Sequence, residues 1–194
     1  MNTTLTETQK RAQIENYFEA IMKLLDLDLK DPNNAETPFR LTKLFYDEVF
    51  KNRNFLGFNK MLNSMAYFPN PNFSEDKPNT NEVTVKDIKF FSTCAHHWLP
   101  FFGTVTVTYI PRKEIIGLSK IPRVVKYFSK MPQVQEKLGS DIAEFLFSVL
   151  DPEKVVVKIK AKHTCVEARG IETECETETE YKILRSERKP QEYE

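Results

Sequence analysis

Apolar residues recur at helical spacing in the first part of the chain. Between Thr4 and Leu27 this spacing predicts an amphipathic helix. A second helix is expected from Thr37 to Lys51, because Thr37 can cap it and Pro38 suits its first position. Residues 52–81 are rich in Asn and Pro and have no clear period, so an irregular connection is expected there. Residues 1–51 are therefore expected to form an N-terminal helical region.

Strand-like alternation begins near residue 82. Residues 83–90 and 104–109 alternate apolar and polar side chains, which predicts two neighbouring strands. A short helix is expected from Ser119, as its cap, to about Lys130. Pro132 is expected to open a longer helix, since apolar residues from Val134 onwards line one face. Both helices should cover a sheet.

Two further strands are predicted near the C-terminus. From Val155 to His163, apolar residues fall on one face and three lysines on the other. From Thr173 to Tyr181, a row of glutamates alternates with other side chains, and antiparallel pairing would set the lysine and glutamate rows side by side. The fold class expected is α+β, in a single domain overall, with residues 82–185 as the catalytic region and 186–194 as a polar tail.

Composition excludes several functional classes. The 194 residues include 28 Lys plus Arg and 28 Asp plus Glu, so no overall positive field favours nucleic acid or an anionic membrane. The first residues lack the basic start and apolar run of a signal peptide, and no apolar stretch is long enough to span a bilayer. Three cysteines are too few for a disulfide framework. We therefore expect a cytoplasmic protein whose thiols are free to bind metal.

Three residues form a candidate metal site. Cys94 and His97 have C-x-x-H spacing between two predicted strands, and Cys165 follows another strand. Two sulfur ligands and one nitrogen ligand suit Zn²⁺, and three protein ligands leave a fourth position open for a catalytic water. The plainer interpretation is that these are separate buried or reactive side chains.

The other two histidines lie beside these candidate ligands. His96 precedes His97 directly, and His163 lies two residues before Cys165, on the same face of an extended strand. A histidine near activated water can transfer protons close to neutral pH. The alternative for each is an ordinary structural histidine.

Several segments together resemble the successive signatures of the GTP cyclohydrolase I family, in order and at similar intervals. The resemblance extends from about Leu27 to Ile171. The segments that carry it are Thr37-Pro38-Phe39-Arg40, Cys94-Ala95-His96-His97, Gly117-Leu118-Ser119-Lys120, Gln133-Val134-Gln135-Glu136 and His163-Thr164-Cys165-Val166-Glu167-Ala168-Arg169-Gly170.

The resemblance implies a role for each matching residue. Cys94, His97 and Cys165 would bind zinc. His96 and His163 would handle protons. Glu136 would pair with the guanine edge, whose two parallel donors adenine lacks. The other substrate-binding positions implied are Gln135, Ser119, Lys120, Arg123 and Arg169, with Arg40 contributed by a neighbouring subunit.

The resemblance also implies a fold, an assembly and a reaction. The fold would be the tunnelling fold, an antiparallel sheet with helices on one face, assembled into a barrel-like homodecamer with active sites between subunits. The reaction would open the imidazole ring of GTP, release C8 as formate and reclose the product as 7,8-dihydroneopterin triphosphate, without a redox cofactor. The chain departs from the family at Ala95, usually a glutamate, at the acidic segment Glu172–Glu180, and in lacking the usual C-terminal helix.

Two other functions are compatible with parts of this pattern. One is a different tunnelling-fold enzyme, such as a pterin synthase or a deazapurine reductase, although a pterin synthase is expected to bind zinc through three histidines. The other is a catalytically silent regulator that binds GTP or zinc. Release of formate from GTP distinguishes the predicted enzyme from both.

Overall fold

The computed structural model describes residues 5–77 and 79–187 of the chain. Its contacts divide the chain into two compact units, Met1–Lys51 and Asn52–Glu194. The boundary coincides with the end of the predicted N-terminal helical region. Of the predicted polar tail, residues 188–194 lie outside the described residues.

The N-terminal unit is helical, as its apolar spacing predicts. Helix α1, Glu7–Leu24, begins with a capping box in which the backbone N–H of Gln9 donates to Thr6 Oγ1 at 3.2 Å. Helix α2, Thr37–Thr42, continues as a π-helical segment, Lys43–Val49. The N-cap position of α2 is Glu36, so the prediction that Thr37 caps this helix was wrong. The Thr37 hydroxyl instead lies 3.4 Å from the Asn33 carbonyl oxygen, within the preceding turn.

Aromatic and polar contacts join α1 to the π-helical segment. The rings of Phe18 and Phe45 stack with centroids 5.7 Å apart. The buried Tyr46 donates its hydroxyl hydrogen to Glu7 at 2.5 Å, and Arg11 pairs with Asp47 at 2.6 Å. Within α1, Met22 is the buried residue, whereas Tyr17, Ile21 and Leu24 of the predicted apolar stripe are exposed.

Strands in the second unit form a five-stranded sheet and a small two-stranded one. The strands are β1 Tyr67–Pro69, β2 Val83–Cys94, β3 Pro100–Ile110, β4 Glu114–Ile116, β5 Pro132–Gln133, β6 Lys154–His163 and β7 Glu176–Leu184. The order in the larger sheet is β5-β2-β3-β6-β7; β5 runs parallel to β2, and all other neighbours are antiparallel. In the smaller sheet, β1 pairs with β4.

Helices cover one face of the larger sheet and bury an apolar core. Helix α4 contacts β2, and α5 contacts β6 and β7. The mixed α+β architecture expected from the sequence is thus confirmed. Among the described residues, no helix is both long enough and apolar enough to cross a bilayer. The helical segments of this unit are the 3-10 turn Arg53–Phe55, α3 Phe58–Leu62, α4 Lys120–Ser129, α5 Gln135–Leu150, α6 Thr164–Glu167 and the 3-10 turn Arg185–Glu187.

Two segments differ from the sequence-based expectation. The stretch 52–81, expected to be irregular, contains α3 and β1, because Met61 is buried and Phe58 packs edge to face on Phe145 at 5.8 Å. Pro132 does not open α5. It lies in β5 and pairs with Thr93, and the helix begins three residues later.

Charged side chains cover the other face of the sheet where β6 pairs with β7. Lys158 pairs with Glu180 at 2.7 Å and Lys160 with Glu178 at 3.0 Å, which confirms the predicted rows. A hydrogen bond from each lysine to its glutamate raises the pKa of that lysine. All of these groups are exposed, so solvent screens the pairs, and they contribute more to register than to stability.

Close approach of β3 and β6 requires a glycine at position 103. Gly103 lies opposite Ala161, and a Cβ on Gly103 would come within 1.9 Å of the Lys160 carbonyl oxygen. Because that oxygen belongs to the backbone of a central strand, only movement of a strand could relieve the clash.

We expect Gly103→Ala to destabilise the second unit by about 1–3 kcal/mol, the usual cost of overpacking. The measurement is the free energy of unfolding by urea. Gly117→Ala is the matched control, because a Cβ there meets no atom closer than 3.5 Å. Equal stability of the two variants would show that the strands can separate at little cost.

Candidate metal centre and active site

The ends of β2 and β6 lie next to each other across the first residues of β3. Thr93 of β2 pairs with Pro100, and His163 of β6 pairs with Phe101. Cys94 is the last residue of β2, and Cys165 lies in α6, directly after β6. Strand pairing therefore brings together two cysteines that are distant in sequence.

A tight turn after β2 carries His97 back towards Cys94. The Trp98 amide donates to the Cys94 carbonyl at 2.9 Å, and the Cys94 amide donates to Leu99 at 2.9 Å. Trp98 adopts a positive φ of 56° to close this turn. The Ala95 amide donates to the Gln133 carbonyl at 2.9 Å, which anchors the turn to β5. As a result, His97 Nδ1 lies 3.6 Å from Cys94 Sγ.

Cys94, His97 and Cys165 form one potential metal-binding group. Their ligand atoms all lie within 4.8 Å of one another. Zinc bonds of about 2.0–2.3 Å in a tetrahedral site place ligand atoms about 3.5 Å apart, so small side-chain movements would complete such a site. Two sulfurs and an imidazole nitrogen are a donor set that suits zinc and leaves one position open. The residues present therefore fit this metal.

The two cysteines differ in their surroundings. Cys94 is buried and Cys165 is partly buried. Burial, followed by the neighbouring Cys94 thiol, raises the pKa of the Cys165 thiol, while the nearby positive charge of Arg169 acts in the opposite direction. Metal binding requires both groups as thiolates, so a bound cation would release their protons.

Two histidines lie beside this group without belonging to it. His96 is exposed, and its Nδ1 is 3.9 Å from Cys94 Sγ. His163 is stacked on Phe101, with ring centroids 4.8 Å apart and planes inclined by 2°. Burial lowers the pKa of His163, whereas the negative charges of Glu136 and Glu167 oppose this shift.

Gln135 is the partner of His163. Its Oε1 lies 2.8 Å from His163 Nε2, and the residue is only 2% exposed. Glu136 follows it in the first turn of α5 and is exposed. The negative charge of Glu136 is near enough to oppose the lowering of the His163 pKa.

A group of potential anion-binding residues lies at the start of α4. Ser119 occupies the N-cap position and makes no side-chain capping bond. Lys120 and Arg123 lie in the first turn, and neither forms an ion pair with a described residue. Arg169 is exposed and follows α6, and its positive charge acts to lower the pKa of Cys165.

Arg40 belongs to the N-terminal unit. Its guanidinium pairs with Glu36 at 2.9 Å across one turn of helix, and both side chains are exposed. Both residues of this ion pair belong to the N-terminal unit.

The chain is similar to a known protein family and to named relatives. The family model for GTP cyclohydrolase I matches residues 14–192. The chain belongs to the GTP cyclohydrolase I family. Among its relatives, the "GTP cyclohydrolase 1" of Serratia proteamaculans (strain 568) is 45% identical over 166 residues, 85% of this chain and 70% of that protein. That of Edwardsiella ictaluri (strain 93-146) is 42% identical over 168 residues, 86% of this chain and 72% of that protein.

A solved structure gives a weaker likeness. The archaeosine synthase QueF-Like in its apo form superposes with a TM-score of 0.39 at 24% identity. The match covers 54% of this chain and 94% of that one.

Sequence reasoning assigned no role to three residues that shape the site. Phe101 holds the plane of the His163 ring, and the Thr164 hydroxyl donates to the Pro100 carbonyl at 2.7 Å, fixing α6 to β3. The Oε1 atom of Glu167 is buried and has no hydrogen-bond partner among the described residues. The negative charge of Glu167 opposes the lowering of the His163 pKa. The proximity of Thr164 and Glu167 to Cys165 in sequence was the available signal; Phe101 offered none.

We expect one zinc ion per chain, lost in Cys165→Ala because two ligands seldom retain the metal. The measurement is metal analysis of purified protein. Cys175→Ala is the matched control, since Cys175 is exposed and outside the three-residue group, and it should retain zinc. Full zinc occupancy in Cys165→Ala would contradict the ligand assignment.

Proposed function

We propose that this protein is a zinc-dependent GTP cyclohydrolase I. It opens the imidazole ring of GTP by hydrolysis, releases formate and recloses the product as 7,8-dihydroneopterin triphosphate. The observation that carries the proposal is the convergence of Cys94, His97 and Cys165 beside His163, in a chain of this family. Three such ligands leave one coordination position of a zinc ion open, which would allow activation of the water that the proposed hydrolysis requires.

Zinc would be held by Cys94, His97 and Cys165. When bound, it supplies Lewis-acid activation of water near neutral pH. Cys94 is buried and Cys165 is partly buried, whereas His97 is exposed, so a bound metal would be accessible from the side of His97. The free thiols that such a site needs also support a cytoplasmic location.

Proton transfer is assigned to His163 and His96. His163 is held between Phe101 and Gln135, so its ring is positioned before substrate binds. Burial favours the neutral ring, which can accept a proton. His96 is exposed beside Cys94 and can exchange protons with solvent.

Base recognition is assigned to Glu136. Its exposed carboxylate at the start of α5 can accept two parallel hydrogen bonds, from the N1–H and the exocyclic amine of guanine. Its influence on His163 indicates that a bound base would lie near the proton-transfer residue.

The triphosphate is assigned to the cationic residues. Lys120 and Arg123 have no ion-pair partner among the described residues, so their charges are available to an anion at the start of α4. Ser119 adds a hydroxyl there, and Arg169 adds a cation on the metal side of the site. Arg40 of a neighbouring subunit would complete the set.

Assembly is part of the proposal. We expect the tunnelling fold and a barrel-like homodecamer with active sites between subunits. In the single chain, β7 is an edge strand of the larger sheet, and β5 at the other edge is only two residues long. Association of subunits would cover these edges.

The ligand set also separates the proposal from its alternatives. A pterin synthase would be expected to show three histidine ligands, whereas the group here contains two cysteines. A silent regulator would not need the prearranged His163. Formate release from GTP by the purified protein tests the proposed function directly, and its absence would favour the regulator.

We expect His163→Ala to lower turnover by about a hundredfold or more, the usual effect of removing a general acid or base. Zinc content should stay unchanged, because His163 is outside the ligand group. The measurements are kcat for formate release and metal content. Lys162→Ala, on the opposite face of β6, is the matched control and should retain turnover. Normal turnover in His163→Ala would reject the role.

We expect Glu136→Gln to reduce discrimination against ATP and ITP by about tenfold or more, because an amide presents a donor where guanine needs an acceptor. The measurement is the ratio of kcat/KM for GTP to that for each competitor, with zinc content recorded in parallel. Glu75→Gln, another exposed glutamate, is the control. A wild-type ratio in Glu136→Gln would assign base reading to another residue.

A further inference from the structure

Gln135 is a buried polar residue at the first position of α5. At 2% exposure it cannot satisfy its amide with bulk water, so both its oxygen and its nitrogen must find partners within the chain. A glutamine amide offers two hydrogens from nitrogen and two lone pairs on oxygen. Its neighbours therefore determine which way the amide points.

Three acceptors surround the amide nitrogen. Gln135 Nε2 lies 3.1 Å from each of the Ile159 carbonyl, the Thr177 carbonyl and Thr179 Oγ1. The two carbonyl oxygens can only accept hydrogen bonds, so the atom facing them must be the donor. The amide is thereby held with its nitrogen towards β6 and β7 and its oxygen towards His163.

This orientation decides the tautomer of His163. Gln135 Oε1 is 2.8 Å from His163 Nε2, and a carbonyl oxygen only accepts. The hydrogen must therefore be on Nε2, which leaves Nδ1 of the neutral ring as the atom that can accept a proton. Parallel stacking on Phe101 at 4.8 Å holds the ring plane at the same time.

We infer that Gln135 is a positioning residue that holds His163 as the Nε2–H tautomer with Nδ1 free to accept a proton. This inference rests on the proposed function for its catalytic consequence. It gives Gln135 a role other than the substrate contact expected from the sequence. Both amide hydrogens are already used inside the chain, and its oxygen accepts a hydrogen bond from His163.

A double-mutant cycle distinguishes the two roles. If Gln135 acts through His163, Gln135→Leu should lower kcat about tenfold or more while KM for GTP changes less than about threefold. In a His163→Ala background the same substitution should then cause no further loss. Thr179→Val is the matched control, since it removes one acceptor of the amide but leaves both carbonyls, and it should keep kcat within about threefold. Independent, multiplying losses, or a loss confined to KM, would overturn the inference.

A spectroscopic measurement is independent of turnover. The chain has three histidines, so ring ¹⁵N NMR of histidine-labelled protein gives few signals, and His163→Ala identifies those of His163. In the wild type, Nε2 should carry the hydrogen; in Gln135→Leu, the Nδ1–H form should gain population, with zinc content unchanged. An Nδ1–H ring in the wild type would overturn the inference. If the wild type releases no formate from GTP, the proposed function fails, while this measurement still decides the tautomer.

Discussion

The pairing of β3 with both β2 and β6 is the constraint on which the candidate site depends. Cys94 ends one neighbour of β3 and Cys165 follows the other, so the metal group exists only while both pairings hold in register. Gly103 permits the approach of β6, because any side chain there would meet its backbone. A residue with no functional group of its own thus supports the geometry of the proposed active centre.

The helices add the second half of the site. The N-terminus of α5 places the Gln135 amide against β6, β7 and the His163 ring and leaves Glu136 exposed beside it. Adjacent residues of one helical turn therefore differ in their surroundings: Gln135 contacts His163, the proposed proton-transfer residue, and Glu136, the proposed base-recognition residue, is exposed. Burial of the first and exposure of the second follow from their positions on the helix.

The opposite face of the sheet has a different physical character. Its lysine and glutamate rows on β6 and β7 are exposed and paired across the strands, whereas the metal group lies at the strand ends. The proposed chemistry therefore depends on loops and helix termini positioned by the sheet, a common arrangement when function is carried by a site and not by the fold as a whole.

Local patterns in the sequence were sufficient for the strand alternation of β6 and for the charge rows, which depend on spacing along one segment. Spacing and donor chemistry also made Cys94, His97 and Cys165 candidates for one metal site, but strand pairing brings them together. The tertiary structure alone decided that α5 begins at Gln135 and not at Pro132, that α3 packs through Phe58, and that Gln135 contacts His163. These features depend on partners far away in sequence, and the packing and hydrogen bonds they provide outweigh local propensity.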